Sequence, residues 1–265
     1  MSLLAFQLAL TDLAASPALC ARVAANADEA LAGYDLTPVE RRRLASAVTQ
    51  RGMAVNWSLY RYNRITTLVS ILPGTIHLLG TEVRDIADEF WAEQPAERNM
   101  SRELEHFADW MRRAIARGRV SSPFLPAVLE FEMARYEVAV LPRARLRAEV
   151  AAARERAPGG PLALHPLVRV AAFAHEPQAL LGRLAVRSPL PYTDIPEGEF
   201  YVILDCRGDA GVVWHPLEAP WARAILGHGT PDPAVLEALV AEEILVPAPG
   251  ALEDDVPALA AAGTV

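Results

Sequence analysis

Pro158-Gly159-Gly160-Pro161 is the strongest punctuation in this chain, because two glycines between two prolines cannot continue a helix or a central strand. The charge balance changes at the same point. Residues 1–157 carry 20 Arg against 19 acids, whereas residues 158–265 carry 5 Arg against 14, which together give the net charge of -8. A chain of 265 residues that is 52% apolar has enough material for two cores. The expectation is therefore an α+β protein: an all-helical domain over 1–157, a small mixed domain over 158–249, and a disordered acidic, Ala-rich tail over 250–265.

Capping chemistry places helix starts in the first half. Ser16-Pro17 is one, and Thr37-Pro38-Val39-Glu40 has the composition of a full capping box with proline at the first helical position. A third start at Asn56-Trp57 opens a helix through Tyr60, Arg61, Arg64, Ile65, Leu68 and Leu72 that Pro73-Gly74 interrupts. Val83, Ile86, Ala87, Phe90 and Trp91 form the apolar face of a further helix, and Leu104, Phe107, Ala108 and Met111 that of another. A long helix over roughly Phe124 to Ala153 completes the domain.

Beyond the break the period shortens. Leu162 to Ala174 reads as a strand, Pro177 to Ala185 as a short helix, and Phe200 to Cys206 as a buried strand. Arg207 to Gly211 turns the chain into a returning strand, Val212 to His215. Helices over Pro220 to Leu226 and Pro233 to Glu243 follow, the second capped by Asp232. This hairpin with helices has the make-up of a winged-helix or peptide recognition element. In such an element an extended peptide can add to a strand edge. Phe200, Val202 and Leu204 on the strand, Trp214 on its return and Arg223 on the following helix are the candidate peptide contacts. Whether Phe200 to Cys206 has a free edge or is a central strand is open at this level.

Catalytic chemistry is not written locally. His77, His106, His165, His175, His215 and His228 stand singly, without a zinc-binding spacing, and no glycine-rich phosphate loop or Gly-x-Ser-x-Gly elbow is present. No catalytic residue, metal ligand or cofactor is therefore assigned to this chain. Cys20 and Cys206 read as buried small apolar residues of a reducing compartment. Every basic residue is Arg. Arg61 and Arg64, at i, i+3 beside Tyr60, form a candidate carboxylate clamp or partner contact. Their other reading is as cover for the core edge, paired with acids such as Asp85 or Glu89. No segment has the length and apolarity of a membrane span, and the first ten residues lack the basic start of a secretory signal, so a cytoplasmic protein is expected.

His165-Pro166-Leu167-Val168, Leu180-Leu181, Tyr201 to Arg207, Trp221 to Leu226 and Val235 to Leu239 resemble the C-terminal domain of methanobactin-type partner proteins. Those proteins accompany multinuclear non-heme iron-dependent oxidative enzymes that modify ribosomally made peptides. Ser16 to Leu19 leading to Tyr34 to Arg41 is similar to the small helical domain of the alpha subunit of protocatechuate extradiol dioxygenases. The resemblance implies a non-catalytic partner in a heterodimer with the iron enzyme, which engages the precursor peptide and carries no iron itself. Two other functions stand beside it. A winged-helix DNA-binding regulator is opposed by the net -9 of residues 158–265, since DNA binding needs a basic stripe. A subunit of an aromatic-ring dioxygenase is suggested only by the first forty residues.

Overall fold

A computed structural model describes residues 3–93, 99–156, 161–228 and 230–248. The protein is α+β, with a helical N-terminal region and C-terminal strands, and divides into two compact units, Met1–Ser121 and Ser122–Val265. Both the Pro158 to Pro161 break, apart from Pro161, and the tail from Gly250 lie outside the described residues.

The first unit is helical: α1 (Leu3–Ala15), α2 (Pro17–Ala25), α3 (Ala27–Ala30), α4 (Pro38–Val48), α5 (Arg51–Ile71), α6 (Pro73–Leu79), α7 (Val83–Glu93) and α8 (Met100–Ala116). Ser16 Oγ accepts the Leu19 N–H at 3.1 Å and starts α2. At α4 the capping box is complete, because Thr37 Oγ1 accepts from the Glu40 N–H while the Glu40 carboxylate accepts from the Thr37 N–H. Ala5, Ala9 and Leu13 of α1 pack with Leu44, Val48 and Met53 in one core. In a second group of buried side chains, Phe90 meets Phe107 edge-on at 5.2 Å and Trp110 at 6.1 Å. Each fully buried Leu or Phe contributes about 1.5–3 kcal/mol.

The start expected at Asn56-Trp57 is five residues late. α5 begins at Arg51, directly after the Thr49-Gln50 turn, with no side-chain cap on Gln50. Its first turn and a half contributes one buried residue, Met53, so the apolar repeat that advertises a helix begins only after the helix does. Pro73 stops it as expected and opens α6.

The second unit contains α9 (Leu125–Val140), α10 (Arg143–Arg156), β1 (Leu162–Leu164), β2 (Val168–His175), α11 (Pro177–Ala185), β3 (Glu197–Asp205), β4 (Val213–Leu217), α12 (Ala219–Ile225), α13 (Pro233–Ala241) and β5 (Leu245–Pro247). The single helix expected over Phe124 to Ala153 is two. Pro142 forces Leu141 out of the helical region to φ -68°, ψ 146°, the extended conformation that a following proline favours. α9 packs on β2 and β3 within the second unit; its Phe131 meets Phe173 of β2 at 5.9 Å and Trp214 of β4 at 6.1 Å. Helical periodicity shows which face is apolar, not which element covers it, so the units divide at Ser121/Ser122 where 157/158 was expected.

The expected strand over Leu162 to Ala174 is likewise split. His165 turns the chain, accepting the Leu167 N–H on Nδ1 at 3.0 Å and the Val168 N–H on its carbonyl at 2.9 Å. β1 then pairs antiparallel with β5, which sequence patterning did not reveal, and β2 joins the antiparallel sheet β2-β3-β4. The β3 register sets Phe200 opposite Phe173, Val202 opposite Ala171 and Leu204 opposite Trp214. Paired residues share a face, so Phe173, Phe200, Val202, Leu204 and Trp214 all lie on the side that α9 covers. The opposite face, with Val168, Ile203 and Leu217, packs against Trp221, Leu236, Leu239 and Ile244 around α12 and α13.

Candidate functional site

β3 lies between β2 and β4, and Tyr201 to Asp205 is paired on both sides, so the central-strand reading of Phe200 to Cys206 is the correct one over that stretch. Four of the five expected peptide contacts face α9. Val202 and Leu204 are fully enclosed, and Trp214 is half-buried against Phe131. As peptide contacts Val202 and Leu204 are therefore corrected to core residues. The error has a simple cause, since an apolar strand that fits a peptide groove has the same composition as one that fits its own helix.

The hairpin's open side is β4. Among the described residues β3 alone pairs with it. Val213 is 40% exposed and His215 and Pro216 are exposed. Pro216 has no N–H to offer either neighbour, a common feature of edge strands. β4 runs through Glu218 into α12, on which Arg223 is exposed and directed at β3, its Nη2 3.3 Å from Glu199 Oε2. Glu199 also accepts a hydrogen bond from the Tyr201 hydroxyl. That bond, with the Arg223 guanidinium beside it, holds the Glu199 carboxyl below its ordinary range, and the same bond raises the Tyr201 phenol. The edge of β4 with Arg223 and Glu199 beyond it is a strip of main-chain acceptors and donors next to an exposed ion pair.

At the Asp205 end of β3 stands a partly buried polar junction. His165 is almost fully enclosed, and burial, with Arg207 nearby, lowers its pKa from 6.5 to about 4. Arg207 donates from Nε and Nη2 to the Asp205 carboxylate and from Nη1 to the Glu242 carbonyl at 2.6 Å. Burial alone would raise Asp205, but the hydrogen bonds from the Arg207 side chain and backbone outweigh it and lower the carboxyl. The junction ties the β3–β4 turn to α13.

In the first unit, Tyr60, Arg61 and Arg64 are brought together but their clamp is filled from within. Arg61 pairs with Asp88. Arg64 is buried and its Nε donates to Glu103 Oε1, which also accepts from Trp91 Nε1 at 3.2 Å. The Arg64 guanidinium lies 4.7 Å from the Trp91 ring centroid and 5.4 Å from that of Tyr60. The paired reading holds, although the acids are Asp88 and Glu103 in place of Asp85 or Glu89; Glu89 is taken by Arg119. No sequence spacing marks Glu103, which lies 39 residues from Arg64.

Cys20 and Cys206 are both buried and unpaired. Among the described residues no three His, Cys, Asp or Glu side chains are grouped to hold a metal ion, and no single helix is long and apolar enough to cross a membrane. No known protein family matches this chain, and no curated protein matches its sequence.

Proposed function

We propose that this chain is a non-catalytic cytoplasmic partner that binds a ribosomally made precursor peptide and presents it to a multinuclear non-heme iron-dependent oxidative enzyme. The observation that supports this reading is the open edge of β4 beside α12. An extended segment pairing there would take its affinity from main-chain hydrogen bonds. Its selectivity would come from the exposed Val213 and His215 and from Arg223, whose partner Glu199 can be displaced by a peptide carboxylate. Peptide addition therefore moves from β3, expected from the sequence, to β4. Of the residues first singled out, Arg223 keeps a contact role and Trp214 anchors the edge strand to α9.

Co-expression with a multinuclear iron enzyme and precursor peptide from the same genome tests the reading. The expected result is copurification, with modification that requires this chain and with β4 amides protected from exchange when peptide binds. An enzyme that modifies its peptide equally well alone, or that does not copurify, would refute it.

A further inference from the structure

From Arg41 to Thr81 the chain contains six arginines and no Asp or Glu, in a protein whose net charge is -8. Three of these arginines are accounted for. Arg41 donates to the Asp28 and Leu36 carbonyls, Arg61 pairs with Asp88, and Arg64 pairs with Glu103. Arg42 and Arg51 are exposed and have no carboxylate partner among the described residues. Arg43 lies in the field of Glu40, whose carboxylate is already engaged by the Thr37 cap.

Helical geometry places these cations on outward faces. On α4, Val39, Arg42, Arg43 and Ser46 recur at three and four, opposite the buried Leu44 and Val48. On α5, Arg51, Val55, Leu59, Tyr62 and Thr66 fall within an arc of about 80° at 100° per residue, directly opposite Met53, Arg64 and Leu68. Val55 is 58% exposed, Leu59 55% and Tyr62 65%. Their open area is on the order of 300 Å², comparable to the largest apolar patch of a typical monomer, which is often functional. Ser58 and Asn63 flank the stripe, and Arg51 is the one charge on it. Only Thr49 and Gln50 separate α4 from α5, so the free arginines gather toward the N-terminal end of the stripe.

An ordinary solvated helix face carries mixed charges. A face without acids, with a large aromatic residue and aliphatic residues in line and free guanidinium groups at one end, has the composition of a protein interface. We propose that the outer face of α4 and α5 docks an acidic amphipathic helix of another polypeptide. The apolar side of that helix lies along Val55, Leu59 and Tyr62, and its carboxylates meet Arg42, Arg43 and Arg51. Charge decides the sign of the partner, and the apolar stripe decides against nucleic acid, whose phosphates have no use for it. This surface belongs to the first unit and is independent of the β4 edge.

The test uses the full chain and a fluorescein-labelled synthetic 18-residue helix with Leu at i, i+4, i+7 and i+11 and Glu clustered at one end, read by anisotropy at low salt. Saturable binding is expected, weakened about tenfold or more by R42E/R51E and by L59S/Y62S. R42K/R51K should retain it. Circular dichroism melts confirm that these surface variants fold. Equal binding of the same peptide with Glu replaced by Lys, or no effect of R42E/R51E, would overturn the proposal. So would tighter, salt-dependent binding of a 20-base-pair DNA duplex. Variants in β4 should leave this binding unchanged, so its failure and that of the peptide-edge reading are separable.

Discussion

Lowering the pH from 7 to 4 should charge His165 only at the expense of the fold around it. The imidazole is enclosed, Arg207 and Arg154 oppose its protonation, and Asp205 and Glu243 favour it less than burial disfavours it. Its pKa falls from 6.5 in the unfolded chain to about 4 in the folded one. The unfolded state therefore binds the proton first. Stability from this group is fully present above pH 6.5 and is lost as the pH falls toward 4. A difference of about 2.5 in pKa, at about 1.4 kcal/mol each, makes the loss about 3 kcal/mol by pH 4. Asp205 acts in the same direction but lower, since its carboxyl is held below the ordinary 3.8. Urea titrations between pH 4.5 and 7.5, followed by hydrogen exchange of β2 to β4 peptides, would measure the slope. The variant H165N keeps an acceptor for the Leu167 N–H and removes the titration, so its stability should fall less steeply across that window, with only the acid-side loss of carboxylates such as Glu199 and Glu243 left. A folded-state titration of His165 near 6.5, or an unchanged slope in H165N, would refute the reasoning.

Removing Glu103 leaves Arg64 charged and buried, so E103A should destabilise the first unit by about 3–5 kcal/mol. The double variant R64M/E103L should recover most of that loss in the same denaturation assay, because it removes both charges together. At α4, T37A takes away the hydroxyl that accepts the Glu40 N–H and should cost about 1 kcal/mol, seen as a thermal midpoint lowered by a few degrees.

Signals that are local in the chain were legible. The Thr37 box, Ser16, the Pro73 stop, the Pro177 start and the Asp232 cap all depend on residues within four positions of one another, and all stand where the pattern puts them. The Pro142 break was equally local and was overridden by the apolar repeat running through it. What could not be read is pairing at a distance. α9 looks like one more helix of a bundle until Phe131 is seen against Phe173 and Trp214, and three residues as short as Leu245 to Pro247 carry no periodicity. The same limit governed the sites. Tyr60, Arg61 and Arg64 do cluster as their spacing requires, but the carboxylates that pair with the two arginines arrive from α7 and α8. The apolar strand was correctly found, whereas its central place, with β2 on one side and β4 on the other, is a property of topology.

The β1–β5 pair sets an order of events. Joining β3 to β4 closes a seven-residue turn, Cys206 to Val212, whereas bringing Leu245 back to Leu164 closes a loop of about 80 residues, an extra chain-entropy cost of about 2 kcal/mol. Three residues of ladder cannot repay that alone. The hairpin and its helices must gather first, so β1 and β5 form the last seam of the second unit to shut and the first through which it opens.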